Sequence, residues 1–509
     1  MGPYRILLDC GLTDLTPLKT QRNPLADLVL CSHAHSDHAQ GLLALHQAFP
    51  QLPIYASEVT TQLLPLNWLN SPGEIPRFCH ALPWRSPIEF CDGLSAELFP
   101  SGHLPGAASF LLTYAAPERT YRLLYTGDFF LSNSRLVEGL SVESLRGTHL
   151  DVLIVEGSYG TARHPHRRQQ ENQLVERIDR ALTSDCSVVL PVPTLGLGQE
   201  ILMLLRSHHS FTGRNLDIWV DGSVALGCDA YLDLLPSFPS SVQNFARHQP
   251  LFWDERVRPR VRRLEESQRP SLGESPCIIL TDETADLSVY CHPDNESWVV
   301  LLPERPRYLV RTDDERLTGA DTYLLSEHSD RLGTTQLIHN LRPQHVIFVH
   351  GSPAYLADLT GLEELQNRYH LHSPAAGAEV ELPIGEIFVQ PEPPPETNYE
   401  GELNELGMVV TITLPDAIAA DPRWQEFADT GLVEARWQGD ELVLRGLSQR
   451  ELLNQGSNAK MPLNVDCCGN CRHQRGQRCW NPASPLHGFK VTPEGYCPVF
   501  EPADPVAEG

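Results

Sequence analysis

Six consecutive residues, His33-Ala34-His35-Ser36-Asp37-His38, carry three imidazoles and a carboxylate directly behind the apolar run Leu28 to Cys31. Imidazole together with carboxylate suits zinc, manganese or iron better than calcium or magnesium. If the apolar run is a buried strand and the chain stays extended beyond it, alternate residues share a face, so His33, His35 and Asp37 are predicted to converge on one point. Ala34 and Ser36 keep the intervening positions small. His38 is predicted to open a helix running from Gln40 to Gln47 and so to stand one step further round the same cluster. A polar turn with surface histidines is the bland alternative, and four ligand types at this density speak against it.

Further ligand-type residues stand where apolar runs end. Phe99-Pro100-Ser101-Gly102 leads to His103, Leu123-Leu124-Tyr125-Thr126-Gly127 to Asp128, Val152-Leu153-Ile154-Val155 to Glu156, and Val346-Ile347-Phe348-Val349 to His350. Strand ends of one sheet can meet along a single rim. Seven candidates then fit two ions: His33, His35 and His103 on one, Asp37, His38 and His350 on the other, and Asp128 bridging them. Paired ions about 3.5–4 Å apart lower the pKa of a shared water towards ~7 and clamp the attacking and leaving oxygens of an in-line displacement, for which a phosphodiester is the natural substrate.

The elements that must position these residues form an α/β pattern. Up to about Gly160, short apolar runs ending in polar or glycine-containing turns alternate with helical patterns, which predicts a layered α/β domain. Between Arg163 and Pro303 a second α/β stretch shows a helix from Gln170 to Thr183, strands at Ser187 to Pro191, Leu216 to Val220 and Cys277 to Leu280, and a helix after Gly198. The ligand-bearing rim resumes only afterwards. Residues 1–162 therefore read as the first part of one domain, 163–303 as an insertion and 304–390 as the return segment. A Pro- and Glu-rich linker follows at 391–402, then a small α/β module at 403–460 and a Cys-rich module at 461–501.

The motif HAHSDH, with His103 in SGHLPGAAS, Asp128 in YTGDF and Asp9 in LLDCGL, resembles the metallo-β-lactamase superfamily. Glu156 in LIVEGSYG, His328 in LSEHSD and His350 in VIFVHG narrow the resemblance to its beta-CASP branch of RNA-processing nucleases. The resemblance implies an αββα sandwich with an inserted beta-CASP domain and two active-site zinc ions. It implies that Glu156 orients a metal-ligand histidine, that His328 contacts the scissile phosphate and protonates the leaving oxygen, and that His350 is a ligand. Asp37, Asp128, Glu156 and His328 are thus the expected catalytic set. A carboxylate bonded to a ligating imidazole fixes its tautomer, and a histidine near neutrality can act as general acid. The bland readings are a surface carboxylate ending a strand for Glu156 and a loop histidine near a helix cap for His328.

Two departures from the family stand out. Members begin with strands that precede the LLDCG segment, which here comes almost first, so either an upstream start or an exposed sheet edge is expected. In the insertion, Leu197 of PVPTLGLGQE stands where a basic residue is common, and the strand Cys277 to Leu280 runs into Thr281-Asp282-Glu283-Thr284-Ala285-Asp286 where relatives carry a Ser/Gly-rich turn that approaches phosphate. Acidic groups there would repel a polyanion. Arginines offset this: Arg256, Arg258 and Arg260 in one run with Arg262 and Arg263, and Arg163 with Arg167 and Arg168 in another, are candidate phosphate contacts, although such runs are more often solvated faces.

Thirteen cysteines include five between Cys467 and Cys497. Cys468, Cys471, Cys479 and Cys497 supply four thiolates in one short segment, enough for a further zinc or an iron–sulfur cluster, with His473 or His487 able to replace one. The formal charge of −26 argues against an indiscriminate nucleic-acid coater. No apolar stretch reaches membrane-spanning length and no signal-like start is visible, so a cytoplasmic location is expected. The expected function is two-zinc cleavage of RNA phosphodiesters, with a homodimer allowed. Hydrolysis of a small phosphodiester or ester is the second reading, and a non-catalytic RNA-processing scaffold, for which degenerate ligands would be expected, the third.

Overall fold

The computed structural model describes residues 1–12, 14, 23–290, 297–304 and 320–385, and then short stretches between 404 and 502. Four parallel strands, β1 (Ile6–Leu8), β2 (Leu28–Leu30), β3 (Ile54–Ser57) and β4 (Cys79–Leu82), form the first sheet in that order. A second sheet starts with the antiparallel strands β5 (Ile88–Cys91), β6 (Leu94–Pro100), β7 (Ala108–Ala115) and β8 (Thr120–Tyr125) and turns parallel at β9 (Val152–Glu156).

Why two sheets stack is visible in the side-chain period of two. In β2, Leu28 and Leu30 join Leu94, Ala96, Leu98, Phe110 and Leu112 in the core between the sheets, while Val29 and Cys31 face the opposite way into a core shared with the helix Leu42–Ala48. β2 is buried on both faces, which is why it reads as an uninterrupted apolar run. On the outer face of the second sheet, Leu153, Val155, Val346 and Phe348 pack with Leu337, Ile338 and Leu341 of the helix Arg331–Leu341. Helix, sheet, sheet and helix therefore lie in four layers.

The chain then leaves this sandwich. After the helix Arg167–Thr183, the strands β10 (Ser187–Val192), β11 (Asp217–Val220), β12 (Arg260–Arg263), β13 (Ile278–Asp282), β14 (Trp298–Pro303) and β15 (Asp321–Tyr323) build a separate parallel sheet in the order β12-β11-β13-β10-β14-β15. β15 pairs with β14, so this sheet continues by hydrogen bonding to Tyr323. β16 (His345–Val349) then returns beside β9, in register from His345 opposite Val152 to Val349 opposite Glu156, and β17 (His370–His372) closes that edge. β1 lies at the edge of the first sheet.

Residues Met1–Thr397 form one compact unit and Asn398–Gly509 a second. In the second, the described elements are antiparallel pairs: Asn404–Leu406 with Val409–Thr411, Val433–Gln438 with Glu441–Gly446, and Gln474–Arg475 with Arg478–Cys479. Cys468 and Cys497 lie outside the described residues, whereas Cys471 and Cys479 are present as free thiols. Among the described residues no helix is long and apolar enough to cross a membrane.

Candidate metal centre

Ligand-type side chains gather where strands of the two sandwich sheets end, and the local backbone departs from the sequence-based expectation. β2 stops at Leu30, so His33 and His35 project from a loop, while Asp37 and His38 sit on the single helical turn Ser36–Ala39. Convergence therefore comes from a loop followed by a turn, not from strand alternation. The LLDCG segment explains the tight fit, since a Cβ on Gly11 would stand 1.7 Å from the Asp37 carbonyl oxygen. Asp9 and His350 both hold left-handed backbone, at φ 60° and 53°. Such residues cost of order 1–3 kcal/mol each and persist where the surroundings fix them.

Ligand atoms of His33, His35, His103 and Asp128 lie within 4.8 Å of one another, as do those of Asp37, His38 and His350. A third group joins Asp128 and His350 to Glu156 and His328. Asp128 is central: its Oδ2 stands 3.1 Å from His38 Nε2 and 3.5 Å from His33 Nε2, and its Oδ1 3.2 Å from His350 Nδ1.

Hydrogen bonds fix which nitrogen of each ring is free, because a carbonyl or carboxylate only accepts. His103 Nδ1 donates to the Glu327 carbonyl at 2.8 Å and His35 Nε2 to the Leu195 carbonyl at 3.2 Å. The remaining lone pairs, on His103 Nε2 and His35 Nδ1, then face each other at 3.0 Å. His38 Nδ1 donates to Asp9 Oδ2 at 2.7 Å. Ser158 gives its proton to Glu156 and so accepts from His350 Nδ1 at 2.9 Å, while the Nε2 atoms of His38 and His350 stand 3.1 Å apart, with the carboxylates of Asp128 and Asp37 3.1 and 3.2 Å from them. Ser32 likewise gives its proton to Asp9 and accepts from His33 Nδ1, leaving His33 Nε2 fully buried without a hydrogen bond. Opposed lone pairs and an orphaned ring nitrogen are unfavourable alone and are satisfied by a cation. The donor set fits a metal such as zinc.

Electrostatics point the same way. Burial pushes His33 and His103 well down, so both rings stay neutral, as a ligand must be. At His38 burial is overcome by Asp128 and Asp9, a field that draws a cation to Nε2. For His328 burial is likewise opposed, and the Glu156 and Asp128 carboxylates raise it to about 9. Glu156 Oε2 lies 2.9 Å from His328 Nδ1, while Oε1 accepts from the Phe129 backbone N–H at 2.6 Å. The Glu156 carboxylate thus binds His328 directly and stands 4.0 Å from Nδ1 of the ligand-type His350, to which Ser158 also joins it.

Asp9 was visible in the motif without a role; here it takes hydrogen bonds from Ser32, His38 and Tyr125. Ser32, Tyr125, Ser158 and the Leu195 and Glu327 carbonyls were not foreseen. Serines adjacent to ligand positions were a usable signal, whereas a backbone carbonyl carries none.

The candidate arginines do not gather at the centre. Arg260 binds Asp217 at 2.5 Å, Arg262 binds Glu255 and Arg263 binds Asp229, so these guanidinium groups are neutralised by the protein's own carboxylates on the outer strand β12. Arg256 is largely exposed beside Asp254, and Arg258 is exposed. Arg163 is exposed between Ala162, whose carbonyl accepts from Arg331, and His164, whose N–H donates to Asp330, so its backbone is tied to the loop that carries His328. In the acidic turn, Asp282 is bound by Ser223 and Thr284, and although burial opposes it these bonds hold its carboxyl below the usual range.

A two-sheet sandwich with histidines and carboxylates gathered at its strand ends defines a metal-dependent hydrolase of the metallo-β-lactamase fold. With its inserted parallel sheet, the chain belongs to the beta-CASP family of that superfamily. Residues 4–182 match the beta-lactamase superfamily domain, and 305–368 match the Zn-dependent metallo-hydrolase RNA specificity domain. An uncharacterized protein of Synechocystis sp. is 53% identical over 98% of this chain and 93% of its own length. Two Methanocaldococcus jannaschii proteins are more distant: a "probable RNase", 31% identical over 43% of this chain and 54% of its own, and an "RNase J-like protein", 26% identical over 54% and 65%. The chain spans less than two thirds of the length of these two RNase-named relatives.

Proposed function

We propose that the chain is a two-zinc ribonuclease that cleaves RNA phosphodiester bonds by hydrolysis. The observation that carries this reading is the set of imidazole nitrogens that face one another around Asp128, beside the His328–Glu156 pair. His33, His35 and His103 would hold one ion, Asp37, His38 and His350 the other, with Asp128 between them. Paired ions supply an activated water and charge stabilisation at phosphorus.

The chain's own residues do the rest. Glu156 orients His328 through Nδ1 and stabilises its protonated form, so its other ring nitrogen can deliver a proton to the departing oxygen. Asp9 and Ser32 keep His38 and His33 in the tautomers that ligation needs. Arg163 would contact a phosphate beside the His328 loop, to which its neighbours Ala162 and His164 are tied. The RNA specificity domain match and the RNase-named relatives favour RNA as substrate, while the acidic turn at Asp282 favours the second reading, a smaller phosphodiester or an ester. In the second unit Cys468, Cys471, Cys479 and Cys497 would hold a further zinc or an iron–sulfur cluster, and the protein would act in the cytoplasm, with dimerisation open.

Zinc-loaded protein is expected to cut both 5′-labelled and 3′-labelled RNA, and the Asp128→Asn variant to cut neither. Equal cleavage by a zinc-depleted Asp128→Asn preparation would overturn the mechanism. Turnover of a small phosphodiester with RNA left intact would favour the second reading.

A further inference from the structure

The sandwich does not complete its own metal centre. The ring N–H that fixes the tautomer of His35 is held by the carbonyl of Leu195, in the loop between β10 and the helix Leu197–Ser207 of the inserted domain. That loop is pinned from within the insertion. The N–H of Gly196 donates to the hydroxyl of Tyr231 at 3.1 Å, and Tyr231 is completely buried on the helix Gly222–Asp233. The Thr194 carbonyl accepts from Gln199 Nε2 at 3.0 Å, and the Thr194 hydroxyl donates to Ser223 at 2.8 Å.

Gly196 is required here by its backbone conformation. Its φ is +89°, which a side chain would strain, and a Cβ would stand 2.8 Å from the movable end of Glu327 and 3.7 Å from His35 Nε2. The loop thus passes between the return segment and a ligand-type imidazole in a left-handed turn that glycine permits. A continuous path runs from the Tyr231 hydroxyl through the Gly196 N–H and the Leu195 carbonyl to His35 Nε2, whose opposite nitrogen faces His103.

We infer that Tyr231 is a positioning residue for the metal centre. Through the Thr194–Gly196 loop it holds His35 with Nδ1 turned to His103 Nε2, so that the seating of the inserted domain sets the affinity of the ion that His33, His35 and His103 would share. This rests on the reading of these histidines as ligands. An outer-sphere partner of a ligating histidine typically changes metal affinity 10–100-fold when it is lost. His38 and His350 are oriented by Asp9 and Ser158 instead, so the ion they would hold is expected to be affected less.

The test is cobalt(II) titration of the metal-stripped full-length protein, followed by visible absorption and chelator competition, for the wild type, Tyr231→Phe and Gly196→Ala. In both variants one of two cobalt ions is expected to bind about 10–100-fold more weakly with a shifted band, the other ion remaining as in the wild type. Wild-type binding of both ions by variants that keep their metal-free melting temperature overturns the inference. Equal weakening of both ions also overturns it, since that marks general loosening. If Tyr231→Phe does not fold, Gly196→Ala decides alone. A wild type that takes up no cobalt instead defeats the reading of the histidines as ligands.

Discussion

A histidine offers a metal whichever nitrogen its other nitrogen's partner leaves free, so the hydrogen bonds behind His33, His35, His38, His103 and His350 decide the chemistry as much as the imidazoles do. Asp9→Asn removes the charge that His38 Nδ1 donates to and is expected to weaken zinc binding about 10–100-fold, read by chelator competition. His328→Ala leaves all seven candidate ligands in place, so zinc content is expected to stay constant while kcat falls about 10²–10⁴-fold, the usual worth of a general acid. The ligand residues are legible in the sequence because metal chemistry admits few residue types and they sit at strand ends. Leu195 and Glu327 are not, because their contribution is a backbone carbonyl that any residue supplies.

Elements place these residues through a small number of ties between segments distant in sequence. Glu200, on the first turn of the helix Leu197–Ser207, accepts from Ser134 and from the backbone of Arg135 and Leu136, and lies 3.5 Å from Arg167. Removing this buried carboxylate by Glu200→Ala leaves the Ser134 hydroxyl and the Arg135 and Leu136 N–H groups without their acceptor, Arg167 keeping Glu171 and the Ser326 carbonyl, and is expected to cost about 1–3 kcal/mol of stability in denaturant unfolding. The β12 arginines were attractive as a run in the sequence, yet an all-parallel sheet puts that strand at its outer edge, where Asp217, Glu255 and Asp229 take up their charge. Arg163→Ala is therefore expected to weaken RNA binding and lower its salt slope by about one, while Arg260→Ala leaves both unchanged. Strand positions were legible from apolar runs; pairing of β15 with β14 was not, since it depends on contacts across the insertion.

At the scale of the whole molecule, a net charge of −26 coexists with a centre whose His33, His38, His103 and Asp128 are buried. All seven candidate ligands lie within Met1–Thr397. Replacing Cys471 and Cys479 with Ser is expected to remove one metal equivalent, measured by elemental analysis, while two zinc ions and RNA cleavage persist. A layered α/β domain and the insertion were legible because strand runs and helical patterns alternate, the αββα order only through the family resemblance; the hairpins of the second unit were not, because strands of three to six residues are too short to show a period. The most direct test is zinc-dependent cleavage of end-labelled RNA by the full-length protein, wild type beside Asp128→Asn. Metal-dependent cutting by the wild type with loss in the variant is expected. Intact RNA with two zinc ions bound to the wild type, or unaltered cutting by the variant, would contradict a two-zinc ribonuclease.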